Sequence, residues 1–377
     1  MRSAGQKHQP HTNTHVPAPT ATWDGSGTSM TAWRALLGTP SSYCNSATLA
    51  AHVRRFALPY DPMATDPGRW GHSLANLAEV AIACLEAAAP QSVIEIGAYA
   101  GDVTRMLVDF SEGSDTQIYS VDPDPQESLV ELAERVPRVE LVRKASLEAL
   151  PALPPADAVI VDGDHNYHTV SEELRLIDAR AKEGGAFPLI VCHDVSWPHA
   201  RRDSYYAPEL IPEHDRQPTV EGSYVFPGDP GLKEGGLIYR WPAKTEGGPR
   251  NGVLTAIEDF LDGREELRFA LVPAFFGLGV IWQREAPYAD ELEEILEPWD
   301  RNPMVERLEA NRVLHLAAWQ LEGGRFAWCH ERAQRKDAVL RKLLQSKAFA
   351  LAIALSRLRQ GGAPAFSRDE IRRALEG

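Results

Sequence analysis

The sequence has few cysteines, no long apolar run and no excess of basic charge, and each shortage excludes something. Its four cysteines, Cys44, Cys84, Cys192 and Cys329, are scattered, with no pair at metal-binding or redox spacing. That argues against a disulfide scaffold or a cysteine-ligated zinc module and fits reduced thiols in a cytoplasmic protein. No stretch approaches the ~18 consecutive apolar residues that a membrane span needs. Arg2 and Lys7 are followed by His, Pro, Thr and Asn rather than an apolar segment, which argues against a secretory signal. Lys and Arg number 39 against 53 Asp and Glu, a formal net charge of -14. A whole-protein affinity for nucleic acid or an anionic membrane is not expected at that balance.

What is present is enough for a sizeable core. The chain has 377 residues, 44% of them hydrophobic and 24% charged, which suits two units or one large domain with appendages. Charge is uneven: residues 301–377 hold fifteen basic and eight acidic side chains, a balance of +7 that leaves −21 for the rest. This basic tail is expected to dock on the acidic body, within the chain or across a dimer, and to lie outside the chemistry. Residues 1–29 carry Pro10, Pro17 and Pro19 with His8, His11 and His15 among polar neighbours. They lack the apolar surface to offset ordering entropy and are predicted to be a disordered extension, with the folded part beginning at Met30.

The segment 76–89 is rich in Ala, Leu and Glu and closes at Pro90, a helix signature. Strands and helices then alternate. Strands are predicted at 92–97, 117–122, 138–143, 157–162 and 187–194. A helix follows the first strand over 102–110. Another is expected after Asp124, with Pro125 first and Glu127 at the capping-box position, and a third opening on Thr169-x-x-Glu172. Such alternation means a parallel sheet covered on both faces. Residues 195–250 hold eight prolines and several aromatics, the mark of a lid. A helix at 252–261 and strands at 268–273 and 278–283 resume the pattern. The four-residue link 274–277 is too short for a crossover, so the last strand runs antiparallel. The acidic stretch 285–300 precedes a helix from Asn302-Pro303 to about 320, a longer helical run over 329–359 and a short helix capped by Ser367.

Ligands of open α/β sheets bind beyond the carboxyl ends of the strands. The first strand ends Glu95-Ile-Gly97-Ala-Tyr99-Ala-Gly101, a Gly-x-x-x-Gly turn preceded by an acid, unlike the Gly-x-Gly-x-x-Gly of dinucleotide sites. An amine-bearing ligand suits Glu95 better than a pyrophosphate does. The second strand ends at Asp122, where a carboxylate can accept both hydroxyls of a ribose or simply form a turn before Pro123. Asp162, Asp164 and His165 end the fourth strand, and His193 and Asp194 end the fifth.

The chain resembles the class I S-adenosylmethionine-dependent methyltransferases over about residues 70–284, on the Glu-x-Gly-x-x-x-Gly turn, the acid ending strand two and the terminal hairpin. The paired Asp162-Gly-Asp164-His165 and His193-Asp194 resemble the small-molecule O-methyltransferase branch of macrocin and cephalosporin tailoring enzymes. The resemblance implies a Rossmann-like seven-stranded α/β sheet, set in a domain expected over 30–284; the residue pattern adds a lid at 195–250 and a helical appendage over 285–377. It implies S-adenosylmethionine as cofactor, with Gly97 and Gly101 against the methionine part, Asp122 on the ribose and Ser146 at the adenine. Glu95, Tyr99 (in place of the usual middle glycine) and Asp162 complete that set. It further implies a divalent cation, Mg²⁺ or Mn²⁺, on Asp162, His193 and Asp194, with Asp164 or His165 as the base. An imidazole ligand favours a transition-type ion over Mg²⁺, and a metal-free site with a His base is the alternative.

In the lid, Trp197, His199, Arg201, Arg202, Asp203, Tyr205 and Tyr206 follow strand five and are expected over the acceptor, with the arginines suited to a carboxylate or phosphate. Packing of these side chains within the lid is the competing expectation. The acceptor is a small molecule, sugar-like or a natural product. Neither nucleic acid nor membrane is expected as a partner, and a homo-oligomer would form through the lid or the C-terminal helices. A metallohydrolase using the same Asp/His cluster, a nicotinamide oxidoreductase and a non-catalytic scaffold are the competing functional readings. The nucleoside-type loop disfavours the first, and the glycine spacing the second.

Overall fold

The computed structural model describes residues 72–360 and 368–376. The predicted extension 1–29, the domain start at Met30, Cys44 and the Ser367 cap lie outside the described residues. A seven-stranded sheet is formed by β1 (Ser92–Ile96), β2 (Gln117–Val121), β3 (Val139–Val142), β4 (Ala158–Val161), β5 (Leu189–His193), β10 (Leu267–Val272) and β11 (Leu278–Gln283). Its order is β10-β11-β5-β4-β1-β2-β3. β1 to β5 run parallel, and β11 is antiparallel both to β5 and to β10. The central strands β4 and β5 are buried at every position, as Val- and Ile-rich strands covered on both faces must be.

Two apolar layers flank the sheet. On one side α1 (Ala78–Ala88) and α2 (Asp102–Phe110) pack through Ile82, Leu85 and Leu107. On the other, α5 (Tyr167–Gly184) and α6 (Val253–Leu261) pack through Leu174, Ile177 and Ile257. Parallel crossovers place helices on opposite faces in this way and leave the carboxyl ends of the strands at one rim.

Several boundaries differ from expectation. α3 (Glu127–Arg135) begins three residues after Asp124, with no side-chain cap. The Asp124 amide instead donates to Asp122 Oδ1 at 2.8 Å, so that segment is a turn. α5 is capped not by Thr169 but by Asn166, whose side chain accepts from the Thr169 amide at 2.9 Å. The acidic stretch after β11 is partly helical: in α7 (Ala289–Leu296), Leu292 and Leu296 are buried while the carboxylates face water. α8 is one helix, Pro303–Gln345, capped by Asn302. At 1.5 Å per residue its 43 residues span roughly 65 Å. It is followed by α9 (Lys347–Gln360) and α10 (Arg368–Glu376).

The segment 195–250 folds as two small antiparallel ribbons, β6 (Ser204–Tyr205) with β9 (Trp241–Pro242), and β7 (Ser223–Val225) with β8 (Leu237–Tyr239). Asp203 organises it. Its Oδ1 accepts the amides of Tyr167 and Gly252, and its Oδ2 accepts the Tyr205 hydroxyl at 2.6 Å. Val225 and Leu237 of the lid pack with Phe276, Val313 and Ala317, so the start of α8 closes over the lid.

Candidate active site

The loop after β1 opens the rim. Gly97 has φ +87°, and a Cβ there would lie 2.1 Å from the Asp162 carbonyl oxygen. Its missing side chain lets the ends of β1 and β4 close on one another; a close ligand approach is not what makes glycine necessary there. Gly101, at φ +80°, precedes α2. Between them Tyr99 is left-handed at φ 38°, its ring exposed, and its amide donates to Asp122 Oδ2 at 2.8 Å. Asp122 thus receives one amide on each oxygen, and each oxygen keeps a second acceptor site for a hydroxyl.

Glu95 is buried under this loop. Oε2 accepts the hydroxyls of Thr104 at 2.6 Å and Ser120 at 2.8 Å, while Oε1 is buried without a hydrogen-bond partner. Burial pushes this carboxyl up to about 7, against the two hydroxyls that favour its ionised form. An orphaned carboxyl oxygen in a cradle that also holds Gly97, Gly101 and Asp122 fits a ligand carrying both an amine and a ribose. Ser146 is the first residue of α4 (Ser146–Ala149), beside Glu173 of α5. Glu173 is wholly buried, and burial raises it to about 8.

Asp162, His165, His193 and Asp194 meet where β4 and β5 end. His193 Nδ1 is 3.0 Å from Asp162 Oδ1 and 3.3 Å from Asp194 Oδ2, and Nε2 is 2.9 Å from the carbonyl oxygen of Phe275. That carbonyl can only accept, so Nε2 carries a proton; a carboxylate at Nδ1 calls for a second. Burial opposes the imidazolium, but Asp162 and Asp194 outweigh it and hold His193 well above its ordinary value. His193 Nε2 is thus spent on the Phe275 carbonyl, while Nδ1 faces the two carboxylates. His165 faces the cluster as well. Its Nε2 lies 2.9 Å from Asp194 Oδ2, and Asp194 raises it against the opposing effect of burial. Asp194 is held well below the carboxylate range, because its two imidazole partners overcome burial.

Asp162, His165 and Asp194 each offer a ligand atom, all within 4.8 Å of one another. Two oxygens and an imidazole nitrogen fit a divalent ion such as Mn²⁺. Asp164 stands outside this set. Its Oδ2 accepts the Thr169 hydroxyl at 3.1 Å, its Oδ1 accepts the His165 amide at 3.1 Å, and burial raises its pKa.

Of the lid residues expected over the acceptor, most are committed elsewhere. Arg201 makes a two-pronged pair with Glu258, its Nη2 2.7 Å from Oε1. Arg202 is buried and donates to the carbonyls of Ala243 and Pro230 at 2.6 and 2.7 Å. Tyr205 is buried between Asp203 and the Gln217 amide. Tyr206 does face the cluster, its ring 5.6 Å from that of His165. Trp197 packs with the lid core, and its indole nitrogen is buried without a partner. His199 and Tyr239 stand at the cluster as well. His199 stacks on His165 at 4.4 Å and meets the Tyr239 ring edge-on at 4.7 Å. Burial and the neighbouring His165 lower His199 to about 3, so its ring is neutral. Of the two, His199 is among the residues expected over the acceptor from their place after strand five, whereas Tyr239 lies far along an irregular stretch with no period to place its side chain.

The sheet order, with one antiparallel strand next to last in space, is that of class I methyltransferases. Residues 94–195, which carry every strand-end motif from Glu95 to Asp194, match the family model described as a methyltransferase domain. Over that stretch the chain carries a methyltransferase domain, the mark of a methyltransferase enzyme.

Among solved structures, the chain is similar to the S-adenosylhomocysteine-bound methyltransferase PaMTH1 of Podospora anserina. Identity is 15%, coverage 66% of this chain and 100% of that one, and the TM-score 0.36. It is also similar to the O-methyltransferase TomG of Streptomyces achromogenes, involved in tomaymycin synthesis and solved with S-adenosylmethionine. There the identity is 14%, coverage 67% and 94%, and the TM-score 0.35. A methyltransferase from Geobacter sulfurreducens matches at 12% identity, 67% and 94% coverage and a TM-score of 0.33. At these scores the likenesses carry no argument about the site. No curated protein matches the chain, and none of these three structures singles out the macrocin or cephalosporin branch.

Proposed function

We propose that the enzyme transfers the methyl group of S-adenosylmethionine to a hydroxyl of a small sugar-like or natural-product acceptor, assisted by a divalent cation. The observation that carries this reading is the convergence of Asp162, His165 and Asp194 at the same sheet rim as the Glu95–Gly101 loop and Asp122. In this reading the orphaned Glu95 oxygen takes the ammonium of the cofactor and Asp122 takes its ribose. Ser146 and Glu173 border the adenine.

Methyl transfer needs the acceptor oxygen placed in line with the sulfonium carbon and its proton removed. The oxygen–carbon bond forms as the carbon–sulfur bond breaks, the electron pair leaving on sulfur to give S-adenosylhomocysteine. Asp164, raised by burial and close to the cluster, takes the proton. A divalent ion on Asp162, His165 and Asp194, when bound, would lower the acceptor hydroxyl's pKa and fix its direction. His193 holds the Asp162 carboxylate in place from behind. Tyr206 and His199 border the acceptor side, and their rings suit a flat or glycosidic face.

Incubation with S-adenosylmethionine and panels of sugars, phenols and glycosides, read by mass for an added methyl, tests the reaction. The ion is tested by EDTA and Asp162→Ala. Both should abolish turnover, and turnover surviving both would favour the metal-free site.

A further inference from the structure

We infer that the first turns of α8, outside the matched methyltransferase domain, position the reaction centre through Glu309, the 274–277 loop and His193. The inference rests on reading the Asp162/His165/Asp194 cluster as that centre, and each link is a hydrogen bond. Arg312 grips Glu309 with Nε and Nη2 at 2.6 and 2.7 Å. Glu309 Oε1 accepts the Phe276 amide at 2.8 Å, the neighbouring Phe275 carbonyl accepts His193 Nε2–H at 2.9 Å, and His193 Nδ1 faces Asp162 at 3.0 Å.

The loop does not hold this shape by its own preference. Phe275 and Phe276 both have positive φ, 47° and 68°. L side chains rarely adopt that region, and such residues persist only where their surroundings over-determine them. The surroundings here come largely from α8. The Arg312 guanidinium lies 5.2 and 4.6 Å from the two ring centroids, and Val313 and Ala317 pack against Phe276. His72 stacks on the Phe276 ring at 4.8 Å, and the Phe276 carbonyl accepts the Ser196 amide at 2.7 Å, two residues beyond Asp194. Among the described residues, buried Glu309 bonds the loop and Arg312 rather than the cluster itself, so it acts as a positioning residue.

Its charge and its place after the sheet put the basic tail outside the chemistry. In this arrangement its first four turns, as far as Ala317, hold the site's geometry.

Hydrogen exchange on the full chain, resolved to peptides covering 189–196 and 272–280, tests the relay. Glu309→Leu should raise exchange in both peptides at least tenfold. It should also weaken Mn²⁺ binding at least tenfold and leave S-adenosylmethionine affinity within twofold. Glu309→Gln, whose amide oxygen still accepts the Phe276 N–H, should stay within threefold of the parent in every readout. Val313→Ala loosens the same helix without touching the hydrogen-bond chain; it should lower the melting temperature and leave 189–196 protected. Protection of 189–196 in Glu309→Leu, or equal loosening by Val313→Ala, would overturn the relay. Should Glu309→Leu not fold, Arg312→Met carries the same test with the same pattern. A parent chain that takes up no Mn²⁺ would refute the divalent-ion reading alone, and the exchange comparison would still decide the relay.

Discussion

In the folded chain Glu95 is poised to ionise near neutral pH: its ordinary value of 4.5 is raised to about 7 by burial. The unfolded chain binds fewer protons than the folded one between those values, so stability falls as pH rises from 4.5 through 7. At 1.36 kcal/mol per pH unit the loss is on the order of 3 kcal/mol. A cationic amine docking on the partnerless Oε1 favours the carboxylate and expels the proton. Binding of S-adenosylmethionine should then release about half a proton at pH 7 and about 0.9 at pH 6. Calorimetry in buffers of different ionisation enthalpy reads that number directly. Glu95→Gln keeps an acceptor for Thr104 and Ser120 but cannot titrate. It should abolish the release, weaken cofactor binding, and flatten the stability profile between pH 4.5 and 7. Proton release that is absent in the parent, or unchanged in Glu95→Gln, would refute the placement of the amine at Glu95.

Other substitutions test other joints of the structure. Gly97→Ala places a Cβ 2.1 Å from the Asp162 carbonyl at φ +87°; it should cost ~3 kcal/mol or more in urea unfolding and lower cofactor affinity with it. Asp194→Asn should reduce Mn²⁺ affinity by tenfold or more in a calorimetric titration, with S-adenosylmethionine binding retained. Asp203→Ala strips the lid of an acceptor for two amides and a tyrosine hydroxyl. It should destabilise by ~3 kcal/mol and speed proteolytic nicking within 195–250, while the sheet persists by circular dichroism.

The sheet was legible because each strand is a short apolar run bounded by turn residues, and because four residues cannot cross from one parallel strand to the next. The antiparallel β11 followed from that length alone. The rim residues were legible as types: Glu95, Asp122, Asp162 and Asp194 end strands, and strands that are neighbours in space bring their ends together. How the two histidines divide their nitrogens was not legible. His193 donates to the Phe275 carbonyl, 82 residues on, and faces Asp162, while His165 faces Asp194. The partners of the lid arginines were hidden for the same reason, since Glu258 is 57 residues from Arg201 and the Ala243 carbonyl 41 from Arg202. Local pattern cannot register partners at such separations. The burial of Glu309, Val313 and Ala317 near the start of α8 was not legible either, because net charge averages over the whole helix.

The most direct test of the central claim is a calorimetric titration of the full chain with S-adenosylmethionine and, separately, with NADH. Micromolar binding of S-adenosylmethionine and none of NADH is the predicted result. Absence of S-adenosylmethionine binding would contradict the assignment of the Glu95–Gly101 loop and Asp122 as its site.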